Sequence, residues 1–152
     1  MAYTTAEGRG KVLDDFARAT DQIAIALACL GEAYEHLDEH TADMLEQVLF
    51  RPVQLAYGRA QRVHAEFARR YEFPVRTFEA QSPGLQSQTV HDLIGKAVEA
   101  AGEADRLIGE LQDSMLPVEV GDPELRAGLS QVRELLDGVP ARARELVRTV
   151  GR

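Results

Sequence analysis

Residues 122–150, DPELRAGLSQVRELLDGVPARARELVRTV, decide the fold. Within them Leu125, Leu129, Val132, Leu136, Val139, Ala143, Leu146 and Val150 recur in steps that alternate between four and three. A mean step of about 3.5 lines these side chains along one side of an α-helix, in a stripe that can be buried only against other such stripes. The three residues ahead of the stripe form a helix start. Asp122 offers an N-cap carboxylate, Pro123 suits the first helical position, and Glu124 adds negative charge to the first turn. Gly138 and Pro140 predict a bend part-way along.

Working outward, the same step recurs in three other stretches. Leu13, Phe16, Thr20, Ile23, Leu27, Leu30, Tyr34 and Leu37 form one ladder, and Leu49, Val53, Ala56, Ala60, Val63 and Phe67 a second. Val90, Ile94, Ala97, Ala101, Ala104, Ile108, Leu111 and Met115 form a third. Helices are predicted over approximately 8–38, 42–72, 87–116 and 123–150. Thr41 is placed to cap the second of them, and Pro52 to bend it without ending it. Short connections favour antiparallel neighbours. The predicted fold is therefore all-α: one domain, 1–152, built as an antiparallel up-down-up-down four-helix bundle with long helices. A bundle completed between chains by exchanged helical hairpins is the alternative. Ala97, Ala101 and Ala104 predict a close approach of the third helix to a neighbour, and Gly31, Gly58, Gly95, Gly102 and Gly109 suggest the same. Phe73, Val75 and Phe78 make the second connection too apolar for a free linker, and it is expected to fold over one end of the core.

Composition narrows the function classes. With 45% hydrophobic and 28% charged residues the chain is of globular type, and its net charge of −8 argues against a nucleic-acid partner. The longest apolar run, Ile23 to Leu30, is far short of the roughly 20 residues of a membrane span, and MAYTTAEGRG does not resemble a signal peptide, so a cytoplasmic location is expected. Cys29, the single cysteine, can form neither an internal disulfide nor a cysteine zinc site, and is read as a small, semi-buried apolar residue.

Charge is expected to divide by end. Up-down-up-down order gathers Glu35, Asp38, Glu39, Asp43, Glu46, Glu110, Asp113, Glu119, Asp122 and Glu124 at one tip, and Arg9, Lys11, Arg69, Arg70, Arg76, Lys96, Arg142, Arg144, Arg148 and Arg152 at the other. An antiparallel homodimer would set unlike tips together.

Chemistry-bearing residues are few. Ferritin-like bundles hold two metals with Glu and Glu-x-x-His groups pointing into the core, and here no Glu-x-x-His occurs. Glu32, His36 and His40, with the histidines spaced i, i+4, suggest at most a peripheral divalent-metal site. The stretch His91-Asp92-Leu93-Ile94-Gly95-Lys96 resembles the His-x-Leu-Lys-Gly stretch of histidine phosphotransfer domains, with Ile94 where that family has Lys. The resemblance implies a four-helix bundle whose exposed His91 accepts a phosphoryl group, with Gly95 one turn on leaving room for a receiver domain. His64 is expected at the surface without a role. No catalytic constellation or phosphate loop is present and no cofactor is indicated. The chain is therefore read as a non-enzymatic helical protein acting by homodimerisation or by contact with another protein, with the phosphotransfer module and the metal-binding bundle as alternatives; small-molecule ligands are left open.

Overall fold

The computed structural model describes residues 4–84 and 87–150, with the side chain of Val150 outside the described set. All regular structure among these residues is helical: α1 (Thr5–Glu35), α2 (Glu39–Leu45), a π-helical turn (Glu46–Phe50), α3 (Arg51–Arg70), α4 (Val90–Asp113), α5 (Leu116–Glu119), α6 (Pro123–Asp137) and α7 (Val139–Val150). None of them is long and apolar enough to cross a membrane.

Local chemistry sets the ends. Thr4 and Glu7 form a capping box on α1, and Thr89 with Asp92 forms another on α4, each hydroxyl accepting a backbone N–H while the acid accepts the cap's own. The second rod starts at Glu39 because Asp38, and not Thr41, caps it, taking the Thr41 N–H at 2.9 Å. That contact also answers the acidic residues after α1. Asp38 belongs electrostatically to the start of α2, and the hydrogen bonds from the Thr41 N–H and hydroxyl hold its carboxyl below the usual range. Pro52 does not break the rod. Its missing N–H is absorbed by the π turn immediately before it, where Arg51 N–H donates to the Glu46 carbonyl and α3 continues in phase. At the far end of α3, Glu72 adopts a left-handed φ of 62°, and Phe73 N–H closes back on the Ala68 carbonyl at 2.8 Å.

Helix directions differ from the up-down-up-down expectation. His64, late in α3, reaches the carbonyl of Leu13, early in α1, so these two run antiparallel. α4 also runs against α1: Cys29 and Lys96 meet at the Pro83 carbonyl, while Gly8 faces Leu116 and Val120 beyond the α4 end. Asp122 pairs with Arg70, and Gly128 lies against Val63, so α6 opposes α3. α3 and α4 therefore point the same way, and the order is up-down-down-up. α1 packs against α3 and α4, α6 packs against the same two, and α3 and α4 sit across the core from each other.

The physical reason is the connection. Residues 73–84 carry no regular structure and climb along the outside of α1 instead of folding over one end. Phe73 lies by Gly10, Arg76 pairs with Asp21 at 2.9 Å, Phe78 covers His64, and Pro83 reaches the Cys29 level. This strap delivers α4 to the end where α1 finishes.

The core follows the ladders with one shift. All rungs of the fourth ladder from Leu125 to Leu146 are buried. On α1, however, the fully buried line is Val12, Phe16, Ala19, Ile23, Ala26, Leu30 and Ala33, while Leu27 and Leu37 are half-buried and Tyr34 is exposed. The small side chains Ala19, Ala26 and Ala33 face the same core as Ala97, Ala101 and Ala104, and α1 and α4 form the most extensive helix pair in the molecule. Both helices of that pair thus present a line of buried alanines to the core. Four of the five glycines expected to allow close approach do not serve it, since a methyl group added at Gly31, Gly58, Gly95 or Gly102 would meet nothing within 4 Å, while at Gly109 it would meet the Arg133 guanidinium of α6 at 3.3 Å. Gly128 is the glycine wedged between helices, where a Cβ would lie 2.5 Å from Val63.

Reversing α4 and α6–α7 also redistributes charge. The acids around the α1–α2 turn share an end with Arg142, Arg144 and Arg148 of α7, which packs beside α2 and the π turn. At the other end Arg70 forms two hydrogen bonds to Asp122, at 2.7 and 2.9 Å, and Tyr71 adds a third. Burial pushes the Asp122 carboxyl up, but these donors and the Leu125 N–H outweigh it and hold it below the usual range. Both ends carry both signs, so the end-to-end polarity and the dimer built on it are not supported. Arg152 lies outside the described residues.

Candidate functional site: the groove between α4 and α7

The first turns of α4 and the length of α7 diverge enough to leave an open groove of about 550 Å³. Ile94, Gly95 and Val98 form one wall; Pro140, Ala143 and Val147 form the other. His91 stands at one end, in the first turn of α4 after the Thr89 cap, and is exposed. Arg144 and Arg148, one turn apart on α7, line the same groove. Neither forms a hydrogen bond or ion pair with any described residue. Gly95 opens directly onto this space, because no neighbour within the molecule occupies the position of its absent Cβ.

The groove brings His91 and Gly95 together, as their i, i+4 spacing implies. Sequence reasoning placed Ile94 and Ala143 in the ladders and Arg144 and Arg148 at the basic tip, and passed over Val98 and Val147. Val98 and Val147 are apolar residues one position away from the Ala97 and Leu146 rungs, and both remain half-buried. An apolar residue beside a ladder, flanked by arginines at i, i+4, was the available signal.

The suggested metal site has a different outcome. His36 is the C-cap of α1, and His40 lies in α2 after the new cap at Asp38, so the i, i+4 spacing does not put them on one helix face. His36 Nε2 lies 3.0 Å from Glu32 Oε1, and His40 does not join them. Among the described residues no group of three or more His, Cys, Asp or Glu side chains is arranged to hold a metal ion.

His64 is not a surface residue. It is 3% exposed, sealed by the strap, with Nε2 donating to the Leu13 carbonyl at 2.9 Å and the Phe78 ring edge-on at 5.2 Å. That bond places the proton on Nε2 and leaves Nδ1 buried without a partner in the protein. Burial lowers its pKa and Arg76 lowers it further, against the Leu13 hydrogen bond and the charges of Asp14 and Asp21. Cys29 is buried too, and desolvation pushes its thiol up despite nearby Lys96. A raised thiol holds little thiolate at neutral pH and makes a poor nucleophile.

The class these features define is an all-α helical protein with an apolar, arginine-edged groove. Comparison of the chain with protein-family models, with curated proteins and with solved structures finds no match.

Proposed function

We propose that the protein is a non-enzymatic crossover four-helix bundle that works by protein–protein contact, with the α4–α7 groove as its contact surface. The observation that carries this is the pairing of half-buried Val98 and Val147 with two arginines that have no partner among the described residues. Apolar side chains left at a groove and charges left unneutralised both gain when a partner covers them. A photo-crosslinking amino acid placed at Val98, with one at exposed Gln54 of α3 as control, tests this in cells of the source organism. Adducts specific to position 98, whether to a second copy or to another protein, are expected. Equal labelling at the two positions, or none at 98, refutes the proposal.

One observation favours a second function at the same place. His91 is exposed beside Gly95, whose missing side chain answers no packing need inside the molecule. That arrangement would suit a phosphoryl-bearing partner approaching the imidazole. Transfer from a phosphorylated receiver domain, lost in His91→Ala, tests it; no phosphohistidine in the native chain removes it.

A further inference from the structure

We infer that the occupant of the α4–α7 groove is an amphipathic helix with an acidic flank, supplied by a different protein. The inference rests on the groove being a contact surface and adds the chemistry of what it contacts. Shape is the first ground. The walls run along two antiparallel helices from His91 to Val98 and from Pro140 to Arg148, each about 10–12 Å long at 1.5 Å per residue, which matches two turns of a docked helix. Gly95, mid-way along one wall, lets a partner's backbone or a large side chain approach α4 closely.

Charge is the second ground. The chain carries a net charge of −8, yet the groove edge carries Arg144 and Arg148 and is lined by no carboxylate. Two like charges at i, i+4 oppose helix formation by about 0.2–0.5 kcal/mol unless something lies between them. The negative end of the α7 dipole accounts for Arg148 in the last turn, but not for Arg144 a turn earlier. Both arginines stand on α7, so carboxylates on the flank of the incoming apolar stripe that faces α7 would neutralise the pair.

The occupant is a different protein because of where this chain's own apolar stripes go. Each long helix spends its stripe in the core, so a folded second copy has no free amphipathic helix to lend. Among the described residues, the large exposed apolar ones, Tyr34, Leu55, Val75, Met115 and Val118, lie scattered over α1, α3, the strap and the α4–α5 region and form no helical stripe.

The test uses the full chain and two synthetic probes, short amphipathic helices with the same leucine stripe and either glutamate or lysine flanks, followed by fluorescence anisotropy. The glutamate probe should bind at low salt and weaken as salt is raised, and the lysine probe should not bind. Arg144→Glu with Arg148→Glu should weaken the glutamate probe at least about tenfold and admit the lysine probe, since charge reversal exchanges attraction for repulsion. Arg142→Glu, a single reversal outside this groove, should leave binding unaltered, whereas Arg144→Glu alone, which changes the charge by the same amount, should weaken it. Equal binding of both probes, no binding of either, or indifference to the double reversal overturns the inference. If adducts at position 98 persist while the glutamate probe fails, the partner chemistry is wrong and the contact surface stands. If those adducts join two copies of this chain, the inference also fails.

Discussion

His64 shows how one side chain can report on the closure of a whole segment. Its imidazole is neutral, bonded at Nε2 and bare at Nδ1, and the Phe78 ring of the strap seals it from water. Protonation would place a cation where only Asp14 and Asp21 offer distant attraction and Arg76 opposes it. The folded pKa thus lies below the ordinary value of 6.5, so as pH falls through that value the unfolded chain takes up a proton before the folded one does. Stability from this residue is complete above about pH 6.5 and is lost as pH drops toward the folded pKa. Urea unfolding followed between about pH 7.5 and 5.5 should show the decline, and His64→Phe should flatten it; an unchanged slope in the variant would contradict this account. Nothing local in the sequence marked His64 as buried. It follows the half-buried rung Val63, and what covers it comes from residue 78, fourteen positions later.

Helices were the most legible level, because their periodicity and caps are local. Asp122-Pro123-Glu124 starts α6, with Asp122 accepting the Leu125 N–H at 2.8 Å, and every described side chain of that ladder is buried. The phase of α1 was less legible: Leu27 and Leu37 outrank Ala26 and Ala33 in hydrophobicity, but the pairing with alanine-rich α4 decides which line goes inward. Glycines show the same limit. In sequence Gly102 and Gly128 are alike, each inside a helical pattern. In the fold Gly102 is exposed with open space at its Cβ position, whereas Gly128 is buried against Val63. Gly102→Ala should raise stability by up to about 1 kcal/mol through helix propensity alone. Gly128→Ala should instead lose about 1–3 kcal/mol, as overpacking against Val63 exceeds the propensity gain. Paired denaturant titrations give both values, and equal signs would show that the Gly128 contact is not limiting.

At the scale of the molecule, the direction of α4 was not legible, because helix ladders read the same for either direction and only the route of residues 73–84 chooses. The groove depends on that choice, since it brings the start of α4 beside the end of α7. The strap must span the full rod. α4 alone is 24 residues, about 36 Å at 1.5 Å per residue. Deleting residues 72–83 leaves Tyr71 and residues 84–89, eight Cα–Cα steps from Arg70 to Val90, which reach at most about 29 Å. The shortened chain should therefore fail to fold as a monomer, and sedimentation should find exchanged dimers or aggregates. A stable monomer with native helicity would mean that α4 can enter from the other end.

The alanine stripe shared by α1 and α4 also governs how the polypeptide matures. During synthesis α1 and the continuous rod of α2, the π turn and α3 emerge first and can pair at once, being joined by the short turn at residues 36–38, while the small-residue line on α1 stays uncovered until the strap and then α4 have left the ribosome. The most extensive seam of the finished protein thus cannot close until the whole strap has been made, and over that interval the nascent hairpin exposes a small-residue line that another like itself can meet.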